Sequence, residues 1–410
     1  MTIDLRARAA ALDAADPLAH WRDAFVLRDG LIYFDGNSLG ALPKATAARV
    51  ADTVTGAWGD GLISSWLAAD WIAAPRRIGD KIAALLGANP GEVIAADSTS
   101  VNIFKALTAA LSLRPDRRVI VTETGNFPTD LYMMQRLARL AGVCVAAVSS
   151  ESLHDHLDDR VAAGLLTQVH YKTGAVHDLA ATTRAVQATG ALIIWDLSHS
   201  AGAIDVDLNA ANADFAVGCG YKFFNGGPGA PGFVFAAARH HAAAPALTGW
   251  FGHARPFAFE DDYDPAPGID RFQCGTPPIL GLAALEAGVD LMGHVDRVAR
   301  RAKSAALGEL FIDALAALCG EFGFRLVSPR DPARRGSQVS FAHPDGYAMM
   351  QALKARDVIG DFRAPDIMRF GLTPLYLRHA DIVMAVEILA DICRSRAWDK
   401  PAYRIRAAVT

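Results

Sequence analysis

The sequence predicts an α/β protein: a large domain with a mainly parallel sheet covered by helices, plus a smaller α+β C-terminal domain. Three observations predict it. Short apolar, β-rich runs alternate with helical stretches between about Val93 and Phe235. A long helical region from about Leu282 to Leu318 ends that alternation. Strands and helices then mix again in shorter pieces. With 410 residues the chain exceeds one compact core, so two domains are expected. The expected division is an N-terminal segment 1–59 in small-domain or subunit contacts, a large domain 60–285 and a small domain 286–410.

The elements follow in order. Leu31 to Pro43 is rich in Gly, Asn and Pro and reads as loop, joining the small domain or reaching a partner subunit. The strand runs are Arg118 to Thr122, Val143 to Val148, Gly164 to Val169, Ala191 to Trp195, Phe215 to Gly218 and Gly232 to Ala236. Near-continuous apolar runs separated by helices indicate parallel strands buried on both faces. Leu282 to Leu318 carries apolar residues at three-to-four spacing, as one long or two broken helices. Val339 to Phe341, a helix near Gly346 to Ala355, Ile367 to Phe370 and a helix near Asp381 to Ser395 make the small domain.

Composition narrows the function. Hydrophobic residues at 52% and charged residues at 20% describe an ordinary globular chain, and a net charge of −4 offers no basic surface for nucleic acid or anionic lipid. No apolar run approaches the ~18 residues of a membrane span. Met1 to Asp16 lacks the basic-then-apolar layout of a signal peptide, so a cytoplasmic location is expected. Five scattered cysteines fit neither a disulfide framework nor a metal site.

The chemistry concentrates around Lys222. It follows the run Phe215 to Gly218, with Tyr221 before it and the turn Asn225-Gly226-Gly227-Pro228-Gly229 after it. Asp196, 26 residues earlier, ends the run Ala191 to Trp195. A carboxylate closing one strand and a lysine after the next is the arrangement that holds pyridoxal 5′-phosphate. The carboxylate keeps the pyridine nitrogen protonated and the lysine captures the aldehyde. Of eight lysines, Lys44, Lys81, Lys105, Lys303, Lys354 and Lys400 read as solvated stems. Lys172 competes, since it also ends an apolar run.

Other residues join on chemical grounds. Thr99 and Ser100 open a helix, where hydroxyls and free N–H groups make a phosphate site; a plain N-cap is the alternative. Phe127, in Phe127-Pro128-Thr129-Asp130, offers a ring to stack on a pyridine or a packed turn, and Asp130 a hydrogen-bonding carboxyl. A buried Asp196 needs a cation; capping the next helix is the competing role. His199 is catalytic or structural, and Tyr221 is a candidate proton donor. Thr167 falls at a strand end. Trp250 and Thr276 sit in loops that are structural or complete a phosphate site across subunits. Arg369, in a strand-like run, binds a substrate carboxylate or forms a structural ion pair.

Taken together, Asp35-Gly36-Asn37-Ser38-Leu39-Gly40, Asn126 to Asp130, Trp195-Asp196-Leu197-Ser198-His199, Tyr221-Lys222, Gly249-Trp250-Phe251-Gly252-His253 and Arg369 to Tyr376 resemble kynureninase of the bacterial type. The likeness covers essentially the whole chain. It implies the aspartate-aminotransferase-like fold (fold type I of pyridoxal-phosphate enzymes) and a homodimer with active sites at the subunit interface. It also implies hydrolysis of L-kynurenine to anthranilate and L-alanine, in tryptophan breakdown and NAD biosynthesis. It implies that Thr99 and Ser100 bind phosphate, that Phe127 stacks on the ring, and that Pro128, Thr129, Asp130 and Thr167 support it. Asp196 would pair with the pyridine nitrogen, and His199 and Tyr221 would contact the cofactor held by Lys222. Trp250 and Thr276 would serve the phosphate region, Arg369 the substrate carboxylate, and Trp66, in Gly61 to Trp66, the substrate ring. No metal, nucleic acid or membrane partner is implied. A cysteine desulfurase or class V aminotransferase, or a non-enzymatic pyridoxal-phosphate regulator, stays open.

Overall fold

The computed structural model describes residues 3–406; Met1, Thr2 and residues 407–410, the extremes of the expected terminal segments, lie outside it. The chain forms two compact units. One takes the described residues up to Lys44, Val169–Val176 and the described residues from Val295 onward. The other takes Ala45–Gln168 and His177–His294.

The second unit is built on a seven-stranded sheet. Its order is Val93–Ala95, Gly232–Ala236, Phe215–Cys219, Leu192–Asp196, Val161–Thr167, Val119–Glu123, Cys144–Val148. The last five pair in parallel, as the apolar runs predicted. Gly232–Ala236 runs antiparallel to both neighbours. The reason is the connection before it: residues 220–231 form a tight turn rather than a helical crossover, and a short link returns the chain reversed. Inside that turn Asn225 (φ 55°), Gly227 (φ 83°) and Gly229 (φ 75°) take left-handed backbone, which asparagine tolerates and glycine adopts freely.

Helices Thr99–Ser112 and Pro128–Ala141 lay Ile103, Ala106, Leu107, Ala110, Met134 and Leu137 against Ile120, Leu165, Ile194, Phe215 and Val217 of the sheet. The strands are buried throughout from Val161 to Thr167 and from Leu192 to Asp196. Every parallel strand therefore ends on the same edge, and that edge carries the candidate residues.

The first unit is α+β. An antiparallel sheet of order Asp361–Arg363, Ile367–Gly371, Gln338–Ala342, Arg325–Leu326 packs with helices Arg297–Phe322 and Gly346–Lys354, and helix His379–Ser395 packs on those helices. The helical stretch from Leu282 to Leu318 is two helices, Ile279–Gly293 and Arg297–Phe322. Leu31 to Pro43 is not all loop: Ile32–Tyr33 pairs in parallel with Val358–Ile359, tying this segment to the C-terminal unit.

Two of the lysines expected in solvent are buried. Lys105, 0% exposed, donates to Asp97 and, at 2.5 Å, to Phe272 O. Lys303 pairs with Asp16 at 2.6 Å. A lysine on a helix face is read as a solvated stem only until its face proves to be the packed one. No described helix is long and apolar enough to cross a membrane.

Candidate active site

Strand register assembles the site. Thr167 and Asp196 are register partners at the carboxyl ends of adjacent parallel strands, and Gln168 N donates to Asp196 O at 3.0 Å. Asp196 is buried, and Ser198 N donates to its Oδ1 at 2.8 Å. Burial pushes its carboxyl pKa upward against the Ser198 hydrogen bonds and the nearby Lys222 charge. A cation placed beside it would reverse that penalty.

Lys222 is buried and its Nζ lies 2.9 Å from His199 Nε2. The same Nζ is 5.8 Å from the ring centroids of both Phe127 and Tyr221. His199, Phe127 and Tyr221 are thus gathered around one amine, from three different connections. Burial, with the nearby Cys219 and Asp196, pushes the Tyr221 phenol pKa upward, so it stays protonated. The competing Lys172 lies in the other unit and donates to Ala364 O at 3.3 Å.

Phe127 precedes helix Pro128–Ala141, with Pro128 and Thr129 in its first turn and Asp130 buried just behind. Pro at the first helical position costs no hydrogen bond, so the turn is well placed to present these residues. Thr167 Oγ1 lies 2.5 Å from Asn126 Oδ1 and 3.3 Å from Asp130 Oδ2. Burial and the charge of Asp196 raise the Asp130 pKa well above the usual carboxylate range. Asn126 escaped the sequence reading. It is buried, accepts from Phe127 N at 2.6 Å and donates to Thr122 Oγ1 at 3.2 Å, so it locks the turn. Its place between a glycine and the Phe-Pro pair was the available signal.

Ser98 caps helix Thr99–Ser112, with Val101 N donating to its Oγ at 3.4 Å. Thr99 Oγ1 is buried with no hydrogen-bond partner. A cavity of about 410 Å³ opens here, lined by Ser98, Thr99, Ser100, Tyr221, Gly229 and Pro278 among others. An unpaired hydroxyl at a helix N-terminus, on a residue that lines a cavity, suits an anion. Trp250 and Thr276 do not line this cavity. Trp250 is exposed and stacks on Phe259, centroids 6.1 Å apart, while Thr276 is an exposed loop residue. Trp66 packs beside Phe251 at 5.8 Å and Trp71 at 5.7 Å. The segment around it is helical, Leu62–Ser64 and Ser65–Ala68, not an open loop.

Arg369 belongs to the other unit, where it is buried against Asp361, Ser38 and the Tyr171 carbonyl. The ion pair that was one of its two expected roles is therefore present.

The whole chain has close relatives among known proteins. The chain is 50% identical to a kynureninase of Burkholderia pseudomallei over 413 residues, covering 99% of each chain. It belongs to the kynureninase family. A kynureninase of Pseudomonas fluorescens is 48% identical over 408 residues, 98% of each chain. The family model for the kynureninase C-terminal domain matches residues 300–389. Among solved structures, an apo cysteine desulfurase from Thermococcus onnurineus NA1 superimposes with a TM-score of 0.78 at 19% identity. The match covers 92% of this chain and 98% of that one. A cysteine desulfurase from Escherichia coli gives 0.77 at 20% identity, with the same coverage. Kynureninases thus share a fold with desulfurases, and at that identity the likeness concerns the fold alone.

Proposed function

We propose that this chain is a pyridoxal 5′-phosphate-dependent hydrolase that converts L-kynurenine and water to anthranilate and L-alanine by cleaving the Cβ–Cγ bond. The observation that carries the reading is Lys222 Nζ held 2.9 Å from His199 Nε2 on the strand edge that also presents Asp196, in a chain half identical to kynureninases. The residues fit the cofactor. Thr99 Oγ1 is a buried hydroxyl in want of a partner, and Asp196 is a buried carboxylate in want of a cation. Thr99 and Ser100 would hold the phosphate, Asp196 the pyridine nitrogen, Phe127 one ring face and Lys222 the aldehyde. Pro128, Thr129, Asp130, Thr167, His199 and Tyr221 would line the rest.

Bound there, the cofactor withdraws electrons from the carbon framework of the substrate as its bonds break. Lys222 Nζ would be the base that moves the substrate Cα proton. His199 orients that nitrogen through Nε2. Tyr221, kept protonated by its surroundings, delivers a proton from its phenol oxygen in the later steps. Arg369 reads the substrate α-carboxylate, and Trp66 borders the substrate ring.

We place the active form as a homodimer, with Trp250 and Thr276 serving the partner's phosphate region. Trp58, Leu62, Ile63, Leu67 and Phe259 are exposed, and apolar surface of that kind supports association. Its setting is cytoplasmic tryptophan catabolism, the source of kynurenine. Incubation with L-kynurenine and detection of anthranilate fluorescence tests the activity. Sulfide release from cysteine without anthranilate would replace it with the desulfurase reading.

A further inference from the structure

Arg369 is 1% exposed and four of its five N–H donors are committed. Nε donates to Asp361 Oδ1 at 2.6 Å and Nη2 to Asp361 Oδ2, so one carboxylate grips the side of the guanidinium. Nη1 donates to Tyr171 O at 2.6 Å. Nη2 also donates, at 3.1 Å, to Ser38 Oγ, whose own hydroxyl donates to Asp361 Oδ2 at 2.8 Å. Asp361 and Arg369 are register partners on neighbouring antiparallel strands, so the pairing is set by the sheet. A second guanidinium shares the carboxylate: Arg363 Nη2 lies 2.8 Å from Asp361 Oδ2, with about a third of its side chain exposed.

Asp35 stands beside this group. Phe34, its neighbour, is stitched to both flanking strands, its N–H donating to Ile359 O and its carbonyl accepting from Gly371 N, each at 2.6 Å. Asp35 Oδ1 is buried with no hydrogen-bond partner. Nothing donates to that oxygen, so its environment favours a neutral carboxyl.

The charge count matters here. Arg369, Arg363 and Asp361 sum to +1. An ionised Asp35 cancels that charge, and a protonated Asp35 leaves it intact. The other groups facing the cluster do not alter this near neutrality. Lys172 donates to the Ala364 carbonyl at 3.3 Å. The Tyr33 and Tyr376 phenols are pushed upward by burial and stay neutral.

We propose that Asp361 and Asp35 are positioning residues for substrate recognition: Asp361 fixes the Arg369 guanidinium, and Asp35, by taking up or releasing a proton, sets whether the arginine pair has net positive charge for a substrate carboxylate. This rests on the reading of Arg369 as the carboxylate reader. Burial and the Asp361 charge push the Asp35 carboxyl up to about 7, against the Ser38 hydrogen bond and the pull of Arg369 and Arg363. Burial would also raise Asp361, but its Arg369 hydrogen bond and the two arginine charges hold it below the usual range. Of the two carboxyls, Asp35 is thus the one that changes charge near neutrality. Carboxylate affinity then falls as pH rises through its titration.

Steady-state kinetics of holoenzyme test this. KM for L-kynurenine is measured from pH 6 to 8.5 for the natural protein and Asp35→Asn, with Asp35→Ser as a second neutral variant should the first fold poorly. The expected ratio of natural to variant KM is near one at pH 6 and rises about fivefold or more by pH 8.5, with the pH-linked change in KM rather than kcat. Inhibition by kynuramine, which lacks the carboxylate, should show no such divergence. A ratio flat in pH, or the same divergence with kynuramine, overturns the proposal. Arg369→Lys separates the layers. If it raises KM while the ratio stays flat, only the Asp35 role falls; if it leaves KM unaltered, the carboxylate reading falls first.

Discussion

Thr167 Oγ1 lies 3.3 Å from Asp130 Oδ2, and both side chains are buried. The threonine has one hydroxyl proton, and Asn126 Oδ1 at 2.5 Å is the better acceptor for it. The contact to Asp130 Oδ2 is then the weaker of the two that the hydroxyl can make. Burial and the charge of Asp196 shift the Asp130 pKa upward, against the Thr167 hydrogen bond. Asp130 is thus the carboxyl biased toward its neutral form, beside the Asp196 that a pyridinium would meet.

A stability prediction follows from that sign. Folded Asp130 keeps its proton to a higher pH than unfolded Asp130, so the native state loses relative stability as pH rises from the unfolded value of about 4 toward the folded one. Cofactor-free Asp130→Asn is neutral throughout. It should unfold at higher temperature than the natural protein at pH 7.5. The gap should close toward pH 4. Melts of both proteins across that range check it, and a gap independent of pH would refute the neutral carboxyl.

The cofactor assignment predicts colour. The natural protein should be yellow, and borohydride should fix the cofactor to Lys222. Lys222→Ala should lose the absorbance while keeping its circular dichroism. A borohydride-fixed adduct at Lys172 in that variant would move the assignment.

For Arg369, lysine keeps the charge and loses the fork that grips Asp361. Arg369→Lys should lower kcat/KM for kynurenine by at least ~1.5 kcal/mol, about tenfold or more. Unchanged turnover in a folded variant would leave Arg369 as a structural ion-pair member alone.

Substrate preference turns on Trp66. Its ring neighbours are Phe251 and Trp71, which offer a ring hydroxyl little to bond with. Desolvating an unpaired hydroxyl costs roughly 1–3 kcal/mol. L-kynurenine should therefore exceed 3-hydroxy-L-kynurenine in kcat/KM by about tenfold. Equal or reversed values would exclude this role for Trp66 while leaving the cofactor assignment intact.

The local pattern of the chain determined much of this protein. The apolar runs ending in Thr167 and Asp196 marked parallel strands, because only strands buried on both faces are apolar throughout. The carboxylate-to-lysine spacing marked the chemistry, because strand ends on one sheet edge lie close in space whatever separates them in sequence. The helical stretch on either side of Val295 was visible in its three-to-four spacing, and the structure divides it into two helices.

Tertiary structure decided what depends on partners distant in sequence. Gly232–Ala236 reads like its parallel neighbours, and only the absence of a crossover helix reverses it. Lys105 reads as a surface lysine until the fold brings Asp97 and the Phe272 carbonyl around it. Asn126 looks like a turn residue until Thr167, 41 positions later, reaches its oxygen. Arg369 showed only that a buried guanidinium needs an anion. That the anion is Asp361 follows from antiparallel pairing of two neighbouring strands, and Asp35 is brought beside it by backbone pairing of Phe34 with Ile359 and Gly371, more than 300 residues away. Periodicity records which face of an element is buried, whereas the partner of a buried charge is fixed by which elements meet.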